Sequence, residues 1–228
     1  NFFLPALFSV LVLSLHFSLN GAQSCNPNDK KALLDIKASF GNPASLSSWN
    51  NSATNCCTWL GVTCDSSTKR VVGIELHDSP DFAGKAIPST ISELTFLQSL
   101  QIYNLNLVGS IPTSITALKN LNLINLAGNR LSGPIPQLLS QIQSLTYVSL
   151  GNNFFSGSIP PSLSNLKNLY FINFEYNNLT GTLPASLGNI GLTYLYLSHN
   201  QLSGAIPTDG NLQDFDSTAF FHNKCLCG

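Results

Sequence analysis

Six prolines recur at a nearly fixed interval: Pro88, Pro112, Pro136, Pro160, Pro184 and Pro207, spaced 24, 24, 24, 24 and 23 residues apart. Each follows Ile or Leu, with a glycine just upstream. A period of this length means one structural unit stacked on copies of itself, because a single copy cannot bury its own apolar face. A stack has a long lateral surface. Function is therefore expected in surface recognition rather than in a catalytic pocket.

Between prolines the chain reads Leu-x-x-Leu-x-Leu-x-x-Asn-x-Leu-x-Gly-x-Ile-Pro. One copy holds Leu121, Ile124, Leu126, Asn129, Leu131, Gly133, Ile135 and Pro136. The next holds Leu145, Val148, Leu150, Asn153, Phe155, Gly157, Ile159 and Pro160. Two more follow around Asn177 and Asn200, the last one residue shorter. Two earlier copies are looser: one has Leu105 where Asn is expected, and the other runs into an irregular Ser79-Pro80-Asp81-Phe82 connection. Leu-x-Leu alternation predicts a short strand with alternate side chains inward, and successive copies pair as a parallel sheet. The amides of Asn129, Asn153, Asn177 and Asn200 then form a ladder that satisfies main-chain groups left open where the backbone leaves each strand. Glycine permits the next turn, and proline supplies a fixed φ where no donor is needed. Amphipathic helices do not fit such regular Gly-x-x-Pro punctuation.

The 228 residues are 9% charged and carry a formal net charge of −1. Scattered Lys and Arg argue against nucleic acid as a partner. The adjacent pairs Lys30-Lys31 and Lys69-Arg70 read as solvated surface charge. Residues 1–24 read as a secretory signal peptide, since the apolar run Phe2 to Leu19 is short and small residues follow it. Polar Ser14, His16 and Ser18 weigh against a membrane anchor, and no later segment is long and apolar enough to span a bilayer. The chain begins with Asn and contains no Met, so the initiator and a basic leader region are expected upstream. Six cysteines, Cys25, Cys56, Cys57, Cys64, Cys225 and Cys227, are disulfide candidates in a secreted chain, with fifteen pairings open. A metal set of Cys56, Cys57, Cys64 and His77 lacks zinc-like spacing. Asn50 and Asn178 head N-glycosylation sequons. Residues 25–69 form a cysteine-containing cap. Its helix is expected to start at Asn28, to bury Ala32, Leu33, Ile36 and Phe40 in one stripe, and to stop at Gly41 and Pro43. Repeats occupy 70–207, and 208–228 form an exit cap.

These residues resemble the plant-type extracellular leucine-rich-repeat proteins, which read L-x-G-x-I-P. Within them the chain is most similar to the polygalacturonase-inhibiting proteins. The entry segment Cys25 to Leu34, the Cys56-Cys57-Thr58-Trp59 block, the Leu195 to Gly204 stretch and the exit Phe220 to Gly228 carry the likeness. The resemblance implies an α/β solenoid: a right-handed leucine-rich-repeat superhelix with a parallel concave β-sheet and a helical N-terminal cap. It implies disulfides Cys25–Cys56 and Cys57–Cys64. It also implies a secreted, monomeric cell-wall defence protein that binds microbial or insect endopolygalacturonase, with pectin as a second candidate ligand and with no cofactor. Three departures stand out. The repeats number about six where the family has about ten, which suggests an internal deletion. Ser203 replaces the cysteine expected to pair with Cys225. The expected partner of Cys227 would lie beyond Gly228.

The variable positions around each Leu-x-Leu are expected on the concave face. The candidate partner-binding residues are Glu75, His77, Tyr103, Tyr147, Tyr170, Asn173, Glu175, Tyr176, Tyr194, Tyr196 and His199. Gln101, Asn122 and Asn125 are placed there too. Tyrosine combines a large contact area with a hydroxyl, which suits recognition, and the five of the last three strands are expected to gather. Only Glu75, Asp78 and Glu175 bring charge, so long-range steering is expected to be weak. An enzyme is disfavoured. His77-Asp78-Ser79 holds triad residue types, yet three consecutive residues cannot aim at one another. Two other functions stand as alternatives: a receptor-type ectodomain fragment, and an ice-binding relative.

Overall fold

The computed structural model describes residues 24–223 and 225–227. The expected signal peptide therefore lies outside the described residues, apart from Ser24. The cap opens with helix α1, Pro27–Ser39. Its N-cap is Asn26 rather than Asn28: Asn26 Oδ1 accepts from the main-chain N–H of Asn28 and Asp29. The reason is Pro27, whose fixed φ and missing N–H suit the first helical position. The apolar stripe Ala32, Leu33, Ile36 and Phe40 is fully buried, and Gly41 at φ +81° ends the helix. Cys25–Cys56 and Cys57–Cys64 are bonded, with Cα separations of 5.3 and 5.5 Å. The sulfurs of Cys25, Cys57 and Cys64 lie close together because the two bridges are neighbours.

Arg70 departs from its reading as a solvated cation. Its guanidinium donates twice to the Asp29 carboxylate, at 2.8 Å each, and Asp29 also accepts from Val71 N. Asp29 is 1% exposed. Arg70 also lies 3.8 Å over the Phe96 ring. The first helical turn of the cap is thereby tied to the first repeat strand. The irregular Ser79 to Phe82 connection does similar work: Asp81 accepts from Ser45 N at 2.8 Å, and Phe82 meets Phe40 edge-on at 5.0 Å.

Strand β1, Val62–Cys64, runs antiparallel to β2, Val71–His77, and closes one end of the concave sheet. From β2 the sheet continues in parallel through β3 (Ser99–Tyr103), β5 (Leu123–Asn125), β7 (Tyr147–Ser149), β9 (Phe171–Asn173) and β11 (Tyr194–Tyr196). The interleaved strands β4 (Val108–Gly109), β6 (Arg130–Pro134), β8 (Phe154–Gly157), β10 (Asn178–Gly181), β12 (Gln201–Ala205) and β13 (Cys225–Cys227) form a second sheet. The inward residues Ile74, Leu100, Ile124, Val148, Ile172 and Leu195 face one another in register. None is more than 3% exposed. Each contributes about 1.5–3 kcal/mol by leaving water. Pro88, Pro112, Pro136, Pro160 and Pro184 each cap a five-residue 3₁₀ turn that packs on the next along the outer side. Pro207 starts no such turn, and a loop leads into the exit cap instead.

The asparagine ladder is present. In the Asn177 rung, Oδ1 accepts from Phe155 N at 2.9 Å, and Nδ2 reaches Leu150 O and Phe174 O at 3.0 and 3.1 Å. Asn153 and Asn200 repeat this pattern. Asn129 accepts from both Leu105 N and Leu107 N, because no asparagine stands at position 105. Asn223 adds a further rung: it accepts from Leu202 N and donates to Leu197 O and Phe220 O. The exit segment thus continues the coil.

Candidate functional site

Strand register sorts the outward side chains of the concave sheet into rows. The first row runs Gly73, Ser99, Leu123, Tyr147, Phe171, Tyr194. The second runs Glu75, Gln101, Asn125, Ser149, Asn173, Tyr196. Asn122 and Tyr170, expected on this face, sit one residue before their strands. The outward positions belong instead to Leu123 and Phe171.

Phe171 is the residue that sequence reasoning missed, and it organises the aromatic cluster. Tyr147 stacks on it, with centroids 4.0 Å apart and planes 9° from parallel. Tyr194 and Tyr196 meet it from the other side at 5.9 and 5.7 Å. The tyrosines on β7 and β11 therefore touch through the intervening β9. Partial burial pushes the Tyr147 phenol up, while its hydrogen bond with Ser149 opposes the shift. The spacing signal for Phe171 was available: it lies 24 residues after Tyr147 and 23 before Tyr194.

Tyr176 does not join this cluster. It stacks on His199 at 4.0 Å, and His199 lies 4.3 Å from His222. All three have φ between +53° and +57°, each one residue before a ladder asparagine. That left-handed conformation is unusual for tyrosine. It turns the three rings into a second column beside the first cluster. Between the columns lies Glu175, which accepts from Asn173 Nδ2 at 3.2 Å and from Ser198 Oγ at 3.5 Å. His199 Nδ1 is 3.3 Å from the same Ser198 hydroxyl.

A different group occupies the entry end. His77 stacks on Tyr103 at 4.9 Å, and the Tyr103 hydroxyl donates to Glu75 at 3.2 Å. Partial burial, then that carboxylate, raises the Tyr103 phenol. Asp78 is held below the usual carboxylate range by its bond to His77 and then by Asn104. Beside this group Thr63, Glu75, Gln98, Ser99, Gln101 and Asn122 line a shallow hollow of about 210 Å³. The concave rows thus have an amide-rich entry end and an aromatic exit end. Glu75 is the carboxylate of the two register rows, Asp78 and Glu175 stand just past β2 and β9, and no Lys or Arg stands in the rows.

The exit cysteines fall outside this site. The side chain of Cys225 is not among the described residues, and Cys227 is exposed. Among the described residues, no helix is long and apolar enough to cross a membrane.

Comparison with known proteins agrees with this architecture. Residues 26–65 match the leucine rich repeat N-terminal domain, and 120–142, 144–166, 168–190 and 191–211 match the leucine rich repeat. A polygalacturonase inhibitor from Pyrus communis is 45% identical over 109 residues, covering 44% of this chain and 31% of that protein. The chain spans about a third of the length of the curated relatives it matches. The solved structure of a pollen receptor kinase 3 is 27% identical with a TM-score of 0.74, covering 87% of this chain and 96% of that one. A plant ice-binding protein is 28% identical with a TM-score of 0.60, covering 90% and 97%. The chain belongs to the leucine-rich-repeat family and, within it, resembles the polygalacturonase inhibitors.

Proposed function

We propose that the chain is a secreted, monomeric defence protein of the plant cell wall that binds microbial or insect endopolygalacturonases and blocks them through its concave face. The aromatic cluster about Phe171 is the single observation that carries this reading. It is a pre-packed, partly exposed apolar surface beside a hydrogen-bonded carboxylate, the kind of centre around which protein interfaces concentrate their affinity. The likeness to a polygalacturonase inhibitor supports the choice of partner. Pectin is a weaker candidate for the same face, since a polyanion would meet Glu75, Asp78 and Glu175 without a cation in the register rows. The test is release of reducing sugar from polygalacturonate by a fungal endopolygalacturonase, with and without the protein. Dose-dependent slowing supports inhibition, and unchanged hydrolysis at saturating protein rejects it.

A receptor-type ectodomain is the second reading. What favours it is span: the chain covers nearly all of a receptor-kinase structure but about a third of the inhibitors. Unchanged hydrolysis together with tight capture of another plant ectodomain would select it. The ice-binding alternative draws on the likeness to a plant ice-binding protein, and thermal hysteresis of the pure protein decides it.

A further inference from the structure

The second sheet presents polar outward residues, among them Arg130, Ser132, Ser156, Thr180, Gln201 and Ser203. Phe154 breaks that pattern: it lies on the same face and is 49% exposed. The sequon Asn178-Leu179-Thr180 opens the neighbouring strand β10. Leu179 is buried, so Asn178 and Thr180 both project outward. Register sets Asn178 opposite Ser156, two residues past Phe154 on the same face. Phe154 is therefore its diagonal neighbour across a parallel pair, at about 8 Å from a strand spacing of about 4.8 Å and a two-residue rise of about 6.6 Å, within reach of a large group. The Asn178 side-chain amide is exposed and is not engaged in the asparagine ladder.

The other sequon differs in one respect. Asn50 Nδ2 donates to Ser47 O and Ser48 O, both at 3.2 Å, and its Oδ1 accepts from Ser52 Oγ and Ala53 N, both at 2.9 Å. An N-linked sugar replaces one amide hydrogen. At Asn50 it would break a bond of the cap loop that follows buried Trp49, whereas at Asn178 it breaks none.

We infer that the folded protein carries its N-glycan on Asn178 and not on Asn50, and that the first sugar lies over the ring of Phe154. In the transfer, Asn178 Nδ2 bonds to C1 of a lipid-diphosphate-linked oligosaccharide. The C1–O bond breaks, the lipid diphosphate leaves with the bonding pair, and the amide proton passes to a base of the host transferase. The sugar's C–H face then covers the aromatic face that Phe154 leaves open, as apolar surface packs on a ring. A glycan here shields the second sheet and leaves the concave sheet as the open recognition surface. It also prevents the second sheet from lying flat against ice or another protein.

The inference rests on the chain entering a secretory pathway, and its readout is independent of any inhibition assay. The full chain is secreted from plant cells and treated with a peptide N-glycosidase in ¹⁸O water, and its peptides are weighed. Labelled aspartate at Asn178, with unlabelled Asn50, is the expected result. A bare Asn178, or glycan on Asn50 in the folded fraction, overturns the site assignment. Melting is then compared with and without the glycan. Its removal is expected to lower Tm by about 2–4 °C in the wild type and by about 1 °C or less in Phe154→Ser. Equal losses in both proteins overturn the contact with Phe154.

Discussion

Replacing Asn177 by Ala tests the ladder in a way the geometry makes specific. The change removes the acceptor of Phe155 N–H, the main-chain donor of a fully buried residue. It also removes the two Nδ2 hydrogens shared among Leu150 O, Phe174 O and Glu175 O, but each of these carbonyls keeps a second donor, from Asn153, Asn200 and the Asn152 main chain respectively. One orphaned N–H costs about 1–3 kcal/mol, and two lost but backed-up bonds add about 0.5–1.5 kcal/mol each. The sum is about 2–6 kcal/mol, a large part of a domain's usual 5–15 kcal/mol. Asn129 carries a different load, since its Oδ1 serves two buried N–H groups, Leu105 and Leu107. Asn129→Ala therefore costs about 1–3 kcal/mol more than Asn177→Ala. In protein made without the glycan, Asn178→Ala, next to the ladder but exposed, stays within about 0.5 kcal/mol. Urea unfolding followed by far-ultraviolet circular dichroism measures all three. A cost at Asn177 below about 1 kcal/mol, or a cost at Asn129 no larger than at Asn177, would refute the shared-carbonyl reasoning.

Asp29→Ala strands the Arg70 guanidinium and the Val71 N–H together and is expected to cost about 3–5 kcal/mol, whereas a paired Asp29→Leu, Arg70→Met change costs less; chemical denaturation of both variants checks the order. Loop entropy ranks the two cap bridges. The residue separations are 31 for Cys25–Cys56 and 7 for Cys57–Cys64, so removing them costs about 3.7 and about 2.5 kcal/mol; melting of the paired Ser variants gives the ranking, and the reverse order contradicts it. Acid is expected to destabilise the fold. The Asp65 carboxylate is held well below the usual range by the Ser67 hydroxyl first and then by Thr68, and Thr68-like bonds from Thr218 do the same for Asp216. Groups depressed in this way contribute stability above their unfolded value, near about pH 4, and lose it as pH falls through the lower folded values. A Tm profile from neutral pH to pH 2 tests this: Asp65→Asn flattens the slope below pH 4, and an unchanged slope excludes Asp65.

Much of the fold was legible because its cause is periodic. Spacing alone aligned positions 124, 148, 172 and 195, and those residues are register partners. The same arithmetic would have reached Asn223, which lies 23 residues after Asn200. It was hidden because the leucine pattern around it dissolves into the exit segment. Phe171 was hidden for a subtler reason. Tyr170 and Phe171 are adjacent aromatics, a one-residue slip swaps which faces outward, and only the repeat step from Tyr147 to Tyr194 separates them. Arg70 could not be read locally at all, since its partner Asp29 lies 41 residues away on another element. Likewise, the left-handed backbone at Tyr176 selects its stacking partner, and no residue-type preference announces it.

The most direct measurement is the affinity of a fungal endopolygalacturonase for two single variants, Phe171→Ala on the concave sheet and Phe154→Ala on the second sheet, by titration calorimetry. Loss of binding by tenfold or more in the first, with the second equal to wild type, is the result expected from an interface centred on the aromatic cluster, tenfold being about 1.4 kcal/mol. Equal affinities, or a loss confined to Phe154→Ala, would move recognition off the concave face.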